Sequence, residues 1–242
     1  MHAITIGHLY PDLLNLYGDK GNITALQMRL KWRGIDAQVR EFALKDEIDF
    51  SQLDIVFIGG GSDREQLLVC HRLLEIKQDL KAYVEDNGAL LAVCGGYQLL
   101  GEYYKLEDET IEGLHILDIR TESKPGRLIG KVAIACGLYD DYITGFENHG
   151  GRTYLGKHIP LGIVKYGNGN NGEDRMEGVV YRNLIGTYLH GPLLPANPKL
   201  TDYVLERALE RKYGSDAPKL QMLDDTAEDA AREFIIKKYL KI

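Results

Sequence analysis

The sequence has no excess of basic residues: 29 Lys and Arg stand against 36 Asp and Glu, for a net charge of −7. That balance argues against a general nucleic-acid binder, which needs a basic face to displace counterions. No apolar run approaches the ~18–20 residues of a membrane-spanning helix, and the N-terminus does not read as a secretory leader. Cysteine is scarce, with three in the chain, Cys70, Cys94 and Cys136. An odd number without metal-ligand spacing points to reduced thiols in a cytoplasmic protein. A complete phosphate loop is also missing. The nearest approach, Gly126-Arg-Leu-Ile-Gly130-Lys131-Val132, is one residue short and lacks the hydroxyl. With no long linker, internal repeat or low-complexity tract, residues 1–242 are expected to form a single α/β domain.

What is present is ordinary globular composition, 44% hydrophobic and 27% charged, arranged in two patterns. In the first half, apolar strands alternate with helical segments. Ala3–Gly7, Ala37–Phe42, Asp54–Ile58 and Ala89–Val93 read as strands. Tyr10–Gly21 is turn-rich, and helices are predicted over Ile23–Trp32 (ended by Gly34), Arg64–Asp86 and Tyr97–Tyr104. Fully apolar strands alternating with helices predict a mostly parallel twisted sheet covered on both faces, with ligands at the carboxyl ends of its strands. The second half is richer in strands, at Leu114–Ile119, Leu128–Ala135, Tyr142–Asn148, Leu161–Tyr166, Met176–Tyr181 and Leu184–Leu189. Helices over Pro198–Tyr213 and Thr226–Tyr239 close the chain.

Chemistry concentrates where Ala89–Val93 runs into Cys94-Gly95-Gly96 and a helix. Such a strand–turn–helix junction displays the middle side chain, and the glycines permit the sharp turn. The helix start offers free N–H groups and partial positive charge, from which a thiolate at Cys94 is expected. The Gly95 N–H is placed to meet an oxyanion. A second donor would come from Gly59-Gly60-Gly61, at the end of the neighbouring strand, with Gly61 as the candidate. Cys70, mid-helix, and Cys136, at a strand end, are expected only to pack. A cysteine nucleophile needs a base. His190, at the end of Leu184–Leu189, is the leading candidate and His149 the runner-up. The five other histidines need no more than surface or packing roles.

Five segments resemble class I glutamine amidotransferases, in the branch typified by cobyric acid synthase. They are Leu9-Tyr-Pro-Asp-Leu-Leu-Asn-Leu-Tyr-Gly-Asp-Lys-Gly-Asn22, Gly59-Gly-Gly-Ser-Asp-Arg-Glu-Gln66, Cys94-Gly-Gly-Tyr-Gln98, Glu147-Asn-His-Gly-Gly-Arg-Thr153 and His190-Gly-Pro-Leu-Leu-Pro195. More closely, they are similar to the glutaminase subunits of lipid II isoglutaminyl synthases. The resemblance implies a flavodoxin-like fold and a two-step reaction. Cys94 forms a glutamyl thioester and releases ammonia, His190 moves the protons, and water then frees glutamate. It further implies that Arg127 binds the glutamine α-carboxylate and that Gln98 helps to hold the substrate. The implied partner is a Mur-ligase-like subunit, MurT, which would use ATP and Mg to convert the D-glutamate α-carboxyl of the peptidoglycan stem peptide to D-isoglutamine. No cofactor is implied for this chain.

One departure has consequences. Most class I members follow the histidine with Pro-Glu, whose glutamate orients the imidazole. Here Gly191-Pro192 follows His190, so a carboxylate from the partner is expected to act in trans. Two further functions stay open: an amidotransferase subunit for another acceptor such as a cobyrinic acid derivative, and a non-catalytic regulatory module. A cysteine peptidase or deglycase is disfavoured by Tyr97-Gln98 and Arg127. An active chain of this length has no room for an ATP-binding domain, so a cytoplasmic subunit is expected that reaches a lipid-linked substrate through its partner.

Overall fold

Strands without polar residues must be covered on both faces, and the computed structural model, which describes residues 2–15, 19–106 and 109–241, lays them side by side. β1 (Ala3–Leu9), β2 (Asp36–Phe42), β3 (Ile55–Ile58), β4 (Ala89–Val93) and β12 (Leu184–Thr187) run parallel, with β11 (Val179–Tyr181) antiparallel at one edge. The order is β11-β12-β4-β3-β1-β2. Every residue of β3, β4 and β12 is buried.

Helices cover both faces. On one, α2 (Asp63–Glu75) and α3 (Lys77–Glu85) contribute Val69, Leu73, Leu80 and Tyr83 to the core. On the other, α1 (Lys20–Lys31) and α5 (Pro198–Tyr213) contribute Ile23, Leu26, Leu30, Leu200 and Leu205. α2 starts immediately after the glycine turn because Ser62 and Glu65 form a reciprocal capping box. The last helix, α6 (Thr226–Leu240), packs on the second sheet. Among the described residues, no helix is long and apolar enough to cross a membrane.

The strand-rich half forms its own sheet. β5 (Tyr103–Lys105), β6 (Thr110–Glu112), β7 (Arg120–Cys136), β9 (Gly162–Tyr166) and β10 (Met176–Glu177) are ordered β10-β9-β7-β5-β6, with β8 (Tyr142–Tyr154) also paired to β7. The two sheets meet where His190, just past β12, exchanges two backbone hydrogen bonds with Phe146 of β8, at 2.7 and 3.2 Å.

Several sequence expectations need correction. The helix read over Arg64–Asp86 breaks at Ile76, which leaves helical geometry (φ −108°, ψ 13°) and separates α2 from α3. The helix read over Tyr97–Tyr104 is the five-residue α4 (Gly95–Leu99), and Tyr103 already belongs to β5. Leu114–Ile119 is not a strand. One cause explains the last two differences: the N–H groups of Leu114, His115, Ile116 and Leu117 bond to the carbonyls of Leu99, Leu100 and Gly101. The loop thereby satisfies the orphan carbonyls of a helix that would otherwise continue. β7 and β8 both exceed the Leu128–Ala135 and Tyr142–Asn148 spans expected for them. Within the turn-rich Tyr10–Gly21 stretch, positions 16–18 lie outside the described residues.

Candidate active site

Cys94 adopts φ +51° and ψ −107° between β4 and α4, a conformation rare for a side chain bearing a Cβ. Three neighbours impose it. Its N–H donates to the Thr187 carbonyl of β12 (2.8 Å), its carbonyl accepts from Gln98 N–H (3.0 Å), and Gly96 N–H reaches back to the Gly59 carbonyl (3.1 Å). The glycines that follow are required by space. A Cβ on Gly95 would come within 2.5 Å of Gln66 Nε2, and one on Gly96 within 2.7 Å of the Ile58 carbonyl oxygen. Cys94 is half-buried and touches both apolar cores.

Opposite the thiol stands the glycine turn after β3. A Cβ on Gly60 would lie 3.0 Å from Cys94 Cβ and 3.7 Å from its Sγ, whereas one on Gly61 would run into Leu14. The turn thus brings bare backbone up to the sulfur at Gly60, one residue before the glycine singled out from sequence.

The thiolate expected from the helix start is not what the free site favours. Burial pushes the Cys94 thiol up to about 12, with the Asp19 carboxylate adding to the effect; the Gly95 N–H and the Arg127 charge oppose it without prevailing. A five-residue helix carries a weak dipole, so desolvation wins. His190 is buried at the end of the adjacent strand, and burial lowers it to about 4, helped by the charges of His149 and Arg127. Both groups therefore rest neutral, Cys94 as a thiol and His190 as an unprotonated imidazole.

His149 is not brought to the strand edge in the same way. Its ring stacks on Tyr188 (3.6 Å between centroids, 7° between planes), and Nδ1 lies 2.7 Å from the Gly151 carbonyl. Its Nε2 is 3.9 Å from Glu147. Burial opposes charge on Glu147, yet the nearby His149 ring and hydrogen bonds from Asn168 and Gly169 outweigh it and hold the carboxyl below its ordinary range. A second buried acid, Glu177, accepts from Thr187 Oγ1 (2.6 Å) and Tyr188 N–H (2.9 Å), fixing the strand end that carries His190. Cys70 bonds through Sγ to the Glu112 carbonyl, and Cys136 Sγ accepts from Leu138 N–H; burial raises both thiols. Both have packing environments, as expected.

Arg127 projects from an irregularity in the β7–β8 ladder, where the register shifts between Ser123 and Leu128 and Gly126 takes φ +79°. The guanidinium is exposed. Asn148 aims it, accepting from Nε through Oδ1 and from Nη2 through its carbonyl, both at 2.8 Å. Its charge reaches Cys94, Tyr104 and His190. Gln98 is buried in α4; its Nε2 donates to Tyr188 OH (3.1 Å), while its Oε1 has no hydrogen-bond partner among the described residues. An unpartnered buried acceptor and an aimed cation whose charge reaches the thiol are the two features that would suit a ligand with both an ammonium and a carboxylate, as an amino acid has.

Two neighbours of the thiol were not identified from sequence as site residues. Gln66 donates through Nε2 to the Gly61 carbonyl (3.0 Å) and lies against Gly95, and Asp19 accepts the Gly60 N–H (2.8 Å). Both fall inside the segments that carry the family resemblance, which was the one available signal.

The model of the CobB/CobQ-like glutamine amidotransferase domain matches residues 5–198. The chain is 50% identical over 239 residues to the lipid II isoglutaminyl synthase (glutamine-hydrolyzing) subunit GatD of Staphylococcus aureus strain N315, covering 98% of this chain and 97% of that one. Identity to the Streptococcus pneumoniae subunit of the same name is 40%, over 96% of this chain and 91% of the other. Cobyric acid synthase of Clostridium kluyveri is 33% identical over 68% of this chain but only 34% of its own length. Among solved structures, PurLQS from Thermotoga maritima superposes with a TM-score of 0.58 at 14% identity, covering 87% of this chain and 99% of that one. A T. maritima glutamine amidotransferase gives 0.55 at 13% identity, with both chains fully covered. These two show the shared α/β fold. The chain belongs to the CobB/CobQ-like glutamine amidotransferase family.

Proposed function

We propose that this chain is one glutaminase domain, the glutamine-hydrolysing subunit of a lipid II isoglutaminyl synthase, with Cys94 and His190 as its catalytic pair. The observation that carries the reading is the elbow at Cys94 beside the buried, unprotonated His190 on the neighbouring strand end. His190 takes the thiol proton as sulfur attacks the glutamine side-chain carbonyl. The Gly61 and Gly95 N–H groups receive the oxyanion, and Arg127 and Gln98 hold the α-carboxylate and the α-amino group. Collapse of the tetrahedral intermediate expels ammonia, protonated from His190, and leaves a thioester. Water, deprotonated by His190, then releases glutamate and restores the thiol.

The ammonia passes to a Mur-ligase-like MurT partner, where ATP and Mg activate the D-glutamate α-carboxyl of the stem peptide. The near full-length similarity to two subunits of that synthase supports this acceptor over a cobyrinic acid. Because Gly191-Pro192 replaces the usual Pro-Glu, the carboxylate that orients His190 comes from the partner. A groove of about 450 Å³ beside His190, walled by Phe146, Pro192 and Ala231, leaves room for such an approach. The complex works in the cytoplasm, at the inner face of the membrane where its lipid-linked acceptor lies.

The test is glutamate release by the chain alone and with the MurT subunit, alongside mass spectrometry of lipid II. The partner should raise turnover, and amidated lipid II should form only when glutamine, ATP and both subunits are present. Cys94→Ala should release no glutamate. Retained turnover in that variant would overturn the assignment, and equal turnover with and without the partner would remove the trans carboxylate.

A further inference from the structure

Leu13, Leu14 and Asp19, which follow β1, have no part in the reaction just described, yet they close on the glycine turn. A Cβ on Gly59 would fall 2.3 Å from the Leu14 carbonyl oxygen and 2.8 Å from Asp19 Oδ2, and one on Gly61 would fall 2.6 Å from Leu14 Cδ2 and 3.1 Å from the Leu13 carbonyl oxygen. Asp19 Oδ2 accepts the Gly60 N–H at 2.8 Å in a fully buried contact. From the other side, Gln66 Nε2 donates to the Gly61 carbonyl at 3.0 Å, with its amide packed on Gly95. The peptide unit joining Gly60 to Gly61 is thus anchored at both flanks by side chains from two separate elements.

We propose that Asp19 is a positioning residue which, with Gln66, clamps the Gly59–Gly61 turn against Cys94 so that its backbone donor meets the oxyanion. The assignment rests on Cys94 being the nucleophile. A glycine turn has no side chains to lock its own place, and oxyanion stabilisation demands donors fixed within a few tenths of an ångström. Packing alone would not call for a carboxylate here. Burying one with a single backbone donor is costly, and burial raises Asp19 to about 7. Its charge also works against the Cys94 thiolate. Asp19 therefore serves the oxyanion by holding the turn and not by its charge, which works against a more acidic thiol.

These two effects have opposite signs, and two reactions separate them. Glutamine hydrolysis develops an oxyanion, whereas alkylation of Cys94 by iodoacetamide displaces iodide at a saturated carbon and develops none. In the full chain with its partner subunit, Asp19→Ala should lower kcat by about 10²-fold while KM stays within about threefold. Asp19→Asn keeps an acceptor oxygen and should rescue kcat to within about fivefold of the parent. Both variants should alkylate at Cys94 at least as fast as the parent at pH 8, since an opposing charge has gone. A kcat for Asp19→Ala within about threefold of the parent would overturn the clamp. So would alkylation that falls as steeply as turnover. Should Asp19→Ala fail to fold, Gln66→Met fills the space without the amide and should lose about tenfold in kcat at an unchanged alkylation rate; an unchanged kcat overturns the proposal. Cys94→Ala, run in parallel, keeps the two questions apart: turnover without the thiol would remove the assigned nucleophile, independently of anything measured at Asp19.

Discussion

The two sheets bury different things. The parallel sheet encloses mainly apolar side chains, and the candidate catalytic groups stand in the turns past its strand ends: Gly61, Cys94 and His190. The second sheet, antiparallel except where β5 runs parallel to β7, buries charge and polarity, with Glu147, His149, Arg152, Thr121 and Thr153 all enclosed and hydrogen-bonded among themselves or to backbone. The difference follows from the two tasks. A strained elbow persists only when a rigid frame over-determines it. On the function proposed above, holding a charged amino acid instead needs a cation that reaches solvent yet points one way, and Asn148 aims Arg127 in that manner. Reaction rate should therefore depend on the parallel sheet and substrate affinity on the antiparallel one.

The sharpest test of that division is His190→Ala. Loss of the base should lower kcat by about 10³–10⁴-fold with little change in the KM for glutamine. Its counterpart on the other sheet is Arg127→Ala, expected to raise KM about 10²-fold while kcat shifts by only a few-fold. Arg127→Lys keeps the charge but not the fork, so about a tenfold rise in KM should remain. Steady-state glutaminase kinetics on the three variants checks all of this. If Arg127→Ala lowered kcat as much as His190→Ala, the division would be broken.

The seam between the sheets offers a smaller effect. Gly151 of β8 faces α4, and a Cβ there would lie 2.5 Å from Gln98 Nε2 and 2.7 Å from Thr121 Cγ2. Gly151→Ala should cost about 2 kcal/mol through overpacking, a fall of roughly 4–8 °C in Tm. Thermal unfolding measures it, and no loss would mean that the seam yields more easily than its contacts indicate.

How much of this was legible in the sequence divides along the same line. β4 and the glycines after Cys94 were readable because an apolar run stopping at Cys-Gly-Gly is a local signal. β12 was readable for the same reason, although it stops at Thr187 rather than Leu189 and leaves His190 three residues past its end. Arg127 was not legible from its surroundings: what aims it is a register shift between two long strands, and only the family resemblance pointed to it. The short α4 and the misread Leu114–Ile119 share a non-local cause, since the carbonyls that end the helix are satisfied by N–H groups about fifteen residues on. Asp19 and Gln66 were hidden likewise. Asp19 meets Gly60 across 41 positions, and no periodicity in either segment encodes that encounter.

The smallest expected effect is on pH dependence, and it tests the neutral resting pair directly. His190 must be unprotonated to accept the thiol proton, and burial lowers it to about 4. The active form therefore persists as pH falls and is lost only on passing below about 4. Between pH 7 and 5, kcat/KM should drop by only about 10% on this account, whereas a histidine at its ordinary value near 6.5 would lose all but a few per cent of its neutral form. Asp19 and Glu177, both raised to about 7 by burial, titrate inside that window. Protonating Asp19 removes a charge that opposes the thiolate, so its contribution should be a modest gain in rate toward acid, absent in Asp19→Asn. A fall of tenfold or more by pH 5 in both the parent and Asp19→Asn would show that His190 titrates near 6 or above rather than near 4, and burial would no longer set the protonation of the catalytic edge.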